Sequence, residues 1–252
     1  DLRQRLKAES DKDNKIGKTA DVFLTLDFEN LNGVKISHPL TTLDKQVLVT
    51  ISNLAMQGQY ITTAAQIDKL MGATTKANKT DKKKILDSIE SMATGRVTID
   101  NTEEAKLYSK YDHIVGKFPL LTASTVTAYI DGQLTYNAIK ISEIPAVFLY
   151  AYNRGQVTTY PIEVFQTPIN KTEANRTLED YLRRRIAQMN PLSQNKGSNK
   201  IIIDTICEKC NITTPKQKER LKGKLPKILN WYKKVKFIKD YNIDKTSITI
   251  KL

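Results

Sequence analysis

The chain has 252 residues and carries 40 Lys+Arg against 27 Asp+Glu, a formal net charge of +13. A hydrophobic fraction of 40% and a mean hydropathy of -0.43 exclude a wholly disordered chain. The longest apolar run, Ala146 to Tyr152, falls far short of the ~20 residues that cross a bilayer. At roughly 150 residues per domain the length suggests one large or two smaller domains, either long enough to bury a core. No secretory leader pattern is visible, and 2 cysteines point to a reducing cytoplasm rather than a disulfide scaffold.

Residues 1–20 are highly charged and read as a flexible segment. Asp21 to Glu29 alternates in polarity and is expected to pair with Val34 to Ile36. Three helices follow by apolar spacing: Thr42 to Met56, Thr62 to Met71 ended by Gly72, and Lys79 to Gly95 with Lys82-Lys83-Lys84 near its start. Arg96 to Asp100 reads as a strand. Ala123 to Ile130 and Leu134 to Ile141 flank Asp131-Gly132, a strong hairpin signal. Lys82 and Lys83 either touch a nucleic-acid backbone or are simply solvated.

Thr172 to Met189 carries Leu178, Leu182, Ile186 and Met189 on one helical face, and Asn190-Pro191 stops it. Asn190 to Asn199 is polar and reads as a loop. Lys200 to Cys210 is expected to be a short helix, and Asn211-Ile212-Thr213 a tight turn. Thr214-Pro215 then starts a third helix, since Thr caps free N–H groups and Pro suits the first helical position. Val235 to Tyr241 and Thr246 to Leu252 read as a hairpin with one buried face. Helix, helix, turn, helix, hairpin is the plan of a winged helix, whose third helix enters the major groove. The first half repeats helices and strands in similar order. The expected architecture is therefore α+β: two tandem winged helices, 21–168 with extra antiparallel strands and 169–252.

The charge is unevenly placed. Residues 1–170 hold 20 Lys+Arg and 19 Asp+Glu, whereas residues 171–252 hold 20 and 8. A polarised basic segment fits a polyanion, most often nucleic acid. The nearly neutral half is the expected place for dimer or partner contacts. At about 100° per residue, the side of the third helix opposite its leucines holds Lys216, Glu219, Arg220, Gly223, Lys227, Asn230 and Lys234. Lys224 and Lys200 join the DNA-facing set, and Lys239 and Lys245 at the hairpin would meet phosphates. Lys216, Lys218 and Arg220 sit where the helix dipole repels cations, which a phosphate or a guanine edge would offset. Arg220 is the candidate for bidentate guanine contact, and Glu219 for accepting from cytosine. Gly223 reads either as close approach to DNA or as weakness before a kink at Pro226.

Catalytic and metal motifs are mostly absent. Gly17-Lys18-Thr19 lacks the P-loop's earlier glycine, because position 12 is Lys. Asp11-Lys12-Asp13 opens like a calcium loop, but Ile16 stands where Gly is needed. The two histidines, His38 and His113, are isolated, which removes a paired-His metal site. Cys207-Glu208-Lys209-Cys210 lacks two further zinc ligands nearby, and Cys207 reads as a small core residue. No enzyme activity, metal, cofactor or membrane contact is expected.

Several segments resemble the replication initiators of theta-replicating, iteron-bearing plasmids, or a related phage or mobile-element initiator. Thr41 to Leu48 (TTLDKQVL) is similar to that family's first long helix. Thr159-Tyr160-Pro161-Ile162 with Tyr181-Leu182-Arg183 resembles its bridge into the second domain. Leu221 to Asn230 (LKGKLPKILN) resembles its third helix, and Ile248-Thr249-Ile250 its last strand. The Tyr-Leu order at the bridge departs from the usual Leu-Tyr. The resemblance implies binding to repeated origin sites in double-stranded DNA and opening of adjacent AT-rich duplex. It also implies recruitment of host helicase and initiator proteins, and a monomer–dimer equilibrium. A winged-helix transcriptional regulator is the alternative.

Overall fold

The computed structural model describes residues 22–28, 30–73, 78–103, 114–131, 133–190 and 198–252, without the side chains of 129, 130 and 133–136. The charged segment 1–20 and most of the 190–199 loop lie outside the described residues. The chain is α+β. Its strands are β1 (Val22–Leu26), β2 (Val34–Ile36), β3 (Ile61–Thr62), β4 (Arg96–Asp100), β5 (Val115–Pro119), β6 (Ala123–Ile130), β7 (Gln133–Ile141), β8 (Val157–Pro161), β9 (Lys200–Ile202), β10 (Asp240–Ile243) and β11 (Ser247–Lys251). Its helices are α1 (Thr42–Met56), α2 (Ala64–Leu70), α3 (Lys79–Thr94), α4 (Ala146–Asn153), α5 (Glu173–Ala187), α6 (Ile203–Lys209) and α7 (Pro215–Lys234). A 3-10 turn covers Ile162–Phe165. Among the described residues four small antiparallel sheets form, in the orders β1-β8, β2-β4-β5, β3-β7-β6 and β10-β11-β9. No described helix is long and apolar enough to cross a membrane.

Two hydrophobic cores organise these elements. The first gathers Val47, Leu48, Ile51 and Leu54 of α1, Ile85 and Ile89 of α3, Ile139 and Ile141 of β7, and Phe148 of α4. The second gathers Leu178, Leu182 and Ile186 of α5, Ile203 and Ile206 of α6, Leu221, Leu225, Ile228 and Tyr232 of α7, and Ile248 and Ile250 of β11. Helix starts follow their caps. Thr41 and Asp44 form a reciprocal capping box on α1, Asn78 caps α3, and Thr172 caps α5. Asn53, buried in α1, takes the place of a strand neighbour. Its Oδ1 accepts from Leu24 N at 2.9 Å and its Nδ2 donates to Leu24 O at 2.7 Å.

The topology corrects three sequence expectations. β1 pairs with β8 and β2 with β4, not with each other. Lys200–Ile202 is a strand on β11 rather than the start of a helix, because Ile201 alternates into the second core. Val235–Lys239 is a turn with Lys236 at φ 60, and the strand runs from Asp240 through Ile243. The apolar run 146–152, too short for a membrane, lies in α4 and supplies Val147 and Phe148 to the first core.

Candidate nucleic-acid interface

Two helices joined by a tight turn build the basic face. α6 ends at Lys209 with Cys210 as its C-cap, Asn211 adopts a left-handed φ of 53, and Ile212 N donates to Cys207 O at 2.8 Å to close the turn. Thr214 then caps α7 in a second capping box with Gln217, and Pro215 occupies the first turn. One side of α7 is held in the second core by Leu221, Leu225, Ile228, Leu229 and Tyr232. The opposite side exposes Lys216, Glu219, Arg220, Gly223, Lys227, Asn230 and Lys234, the seven residues expected from helical spacing.

The cations on this helix divide by what they meet. Lys216, Arg220 and Lys227 have no ion pair among the described residues. Lys218 lies 2.5 Å from Asp204 of α6. That hydrogen bond and the charge beside it hold the Asp204 carboxyl below its ordinary range and the Lys218 ammonium above its own. A carboxylate, not a phosphate, therefore offsets the helix dipole at Lys218. Lys233 pairs with Asp240 at 2.9 Å, and Lys234 stands 5.1 Å over the Trp231 ring. Lys224 is half-buried and donates to Asn175 Oδ1 at 2.7 Å, so it leaves the DNA-facing set for a structural one. Asn230 stays exposed, with its Oδ1 accepting from the Tyr241 hydroxyl at 2.8 Å.

A Cβ added at Gly223 would meet nothing within 4 Å, so the glycine is not required by packing inside the protein. Gly223→Ala is expected to raise stability by up to about 1 kcal/mol through helix propensity. The same variant is expected to weaken DNA binding, because the methyl group projects from the outward face. Paired thermal melts and duplex titrations check this. Gained stability with unchanged affinity would leave Gly223 as a weak point before Pro226.

The hairpin beside α7 is tied into a three-stranded sheet. Ile248 and Ile250 face the core, and Asp244 N donates to Ser247 O at 2.8 Å across the turn. Lys245 is exposed at that turn. Lys239 is exposed at the opposite end, where its N–H donates to Lys251 O at 2.8 Å. Lys200 is exposed on β9 across from Thr249. Since Lys239 and Lys245 sit at opposite ends of the hairpin, their contributions separate. Lys245→Ala and Lys239→Ala are each expected to flatten the log–log salt dependence of binding by about 0.9. A variant that leaves the slope unchanged takes that end of the hairpin off the DNA.

In the first half, Lys82 is half-buried and Lys83 is exposed on α3, with Lys83 2.9 Å from Asp87 one turn on. That pair fits a solvated helix face. Cys207 and Cys210 are buried in the second core, and burial next to Cys207 pushes the Cys210 thiol up to about 11. This is the state of an inert packing thiol. Among the described residues no three His, Cys, Asp or Glu side chains come together in a way that would hold a metal ion.

A seam of charged residues between the two cores was not foreseen. Lys171 Nζ lies 2.8 Å from Glu179 Oε1, Arg176 Nη2 3.4 Å from Asp68, and Arg183 stacks 4.4 Å over the Phe165 ring. Burial pushes the Asp68 and Glu179 carboxyls up and the Lys171 ammonium down, against the pull of their partners. Three arginines of this stretch, Arg183, Arg184 and Arg185, fall within the basic count over residues 171–252. Arg183 is buried, Arg184 pairs with Asp27 at 2.9 Å, and Arg185 donates to Ser198 O at 2.9 Å.

No protein-family model matches the chain, and no curated protein does. Among solved structures it is similar to a crystal structure of domains 2 and 3 of RctB in a SeMet derivative. There the identity is 12%, 94% of each chain is covered, and the TM-score is 0.46. A second, of RctB domains 2-3 over residues 155–483, gives 14% identity, 92% of each chain and a TM-score of 0.49.

Proposed function

We propose that the protein is a sequence-specific double-stranded-DNA binder that initiates replication at repeated origin sites, built as two tandem winged helices and acting without catalysis. One observation carries the reading: Lys216, Arg220 and Lys227 stand exposed along one side of α7, each without an ion pair among the described residues. A helix has about the width that a major groove admits. Three cations on a solvent-facing stripe, without an ion pair among the described residues, match a phosphate-lined channel and give binding its salt dependence. In this arrangement Arg220 offers forked donors to guanine O6 and N7, and Glu219 accepts from a cytosine amine. Lys245, Lys239 and Lys200 bind phosphates beside it. The resemblance of 41–48, 221–230 and 248–250 to plasmid initiators supports a role at origins. With that role come opening of AT-rich duplex, recruitment of host helicase and initiator proteins, and a monomer–dimer equilibrium.

Selection of bound sites from random duplex, followed by mapping them relative to the gene, tests the reading. Tandem direct repeats beside an AT-rich tract are the expected result. A single palindrome over a promoter would instead make the protein a transcriptional regulator, and nicking or priming with Mg2+ would make it an enzyme.

A further inference from the structure

α5 has two working stripes. Leu178, Leu182 and Ile186 point into the second core. The other stripe reaches the elements of the first. Arg176 Nη1 donates to Gln46 Oε1 of α1 at 2.7 Å, its Nη2 faces Asp68 of α2, and its Nε donates to Lys171 O at 3.1 Å. Glu173 Oε1 accepts from Thr42 N at 2.8 Å, and the Thr42 and Thr177 hydroxyls lie 2.9 Å apart. Two turns further on, Arg184 meets Asp27 beyond β1. Counted from Glu173 and Thr177, these positions fall three, four and seven residues apart, one face of the helix.

α7 is anchored at its far end too. Trp231 Nε1 donates to Glu163 O of the 3-10 turn at 2.8 Å, and the Phe237 ring lies 5.8 Å from that of Tyr160 in β8. Gly72, at φ 94, lies so close to Phe165 O that a side chain there would collide with it. The connecting segment is folded back by Lys171, which donates to Phe165 O at 2.8 Å and to Thr167 at 2.9 Å. Arg176 and Asp68 are both buried, so any sliding of one core over the other would strand a desolvated charge. An ordinary interdomain contact is expected to allow relative motion. This seam instead carries directional bonds on α5 and ring contacts at the end of α7.

We infer that Arg176 and Trp231 are positioning residues for DNA recognition. They hold the first core at one fixed orientation to α7, so any duplex that the first core meets lies at a constant offset from the α7 site. This rests on the DNA-binding reading above.

The test uses the full chain in two arms. Spin labels at Glu90→Cys on α3 and Lys251→Cys on β11 report the separation of the cores in the free protein. Hydroxyl-radical footprints on a selected duplex report the offset. A single narrow distance and a footprint with fixed edges are expected for the parent. Arg176→Ala, or the milder pair Gln46→Ala with Trp231→Phe if Arg176→Ala does not fold, is expected to broaden the distance. Protection outside the α7 segment should blur, and affinity should fall about tenfold, the scale of coupling between sites. A folded variant with an unchanged narrow distance and unchanged footprint edges overturns the inference. If the parent binds no duplex, the DNA-binding reading fails while the distance arm still reports on the joint.

Discussion

Arg220→Ala is expected to lose about 1–3 kcal/mol of binding to a selected duplex and little on random sequence. The guanidinium stands exposed on α7 with no ion pair among the described residues, so no protein contact is lost with it. Its forked donors fit the paired acceptors on a guanine edge, whereas an ammonium makes a single point contact. Arg220→Lys should therefore keep random-sequence binding and lose the preference for the selected site. Titrations of both variants on both duplexes at one fixed salt concentration check this. Equal losses on the two duplexes would reduce Arg220 to a phosphate contact.

Leu225→Ala is expected to destabilise the chain by about 2–5 kcal/mol, the cost of lost burial plus the cavity left behind. Leu225 is fully buried among Leu182, Ile206 and Tyr232 in the second core, on the side of α7 away from solvent. Ala is the better helix former, so helix propensity opposes the loss and the cost is one of packing. Denaturant unfolding reads it as a lower midpoint at an unchanged slope. A change below about 1 kcal/mol would mean that α7 is not seated on this core, since full burial of one leucine alone is worth more than that.

Much of the second half was legible in the sequence because its signals are local. Thr214-Pro215 set the start of α7, and leucine spacing set its buried side. The exposed seven follow from the geometry of a helix. Contacts distant in sequence were not legible. β1 has an alternating pattern that suits any antiparallel neighbour, and nothing in 22–26 names 157–161 over 34–36. Lys200–Ile202 is too short to separate strand from helix by period, and its partner lies more than forty residues away. The charge count misled most. Lys171, Arg176, Arg183, Arg184, Lys218, Lys224 and Lys233 all belong to the basic segment. Each, however, is spent on a carboxylate, an amide or a ring inside the protein. Fewer exposed cations are therefore left for the proposed DNA surface than the count over residues 171–252 suggested.

The claim that the outward side of α7 lies in a DNA groove is tested most directly by tethered cleavage. An iron chelate is attached to Glu219→Cys, exposed on that side, with Asn153→Cys on α4 as the control. On a selected duplex, cleavage from position 219 is predicted to fall within the bound site, clustered in one major groove, with none there from position 153. Cleavage from 219 that is absent, or no more focused than that from 153, would contradict it.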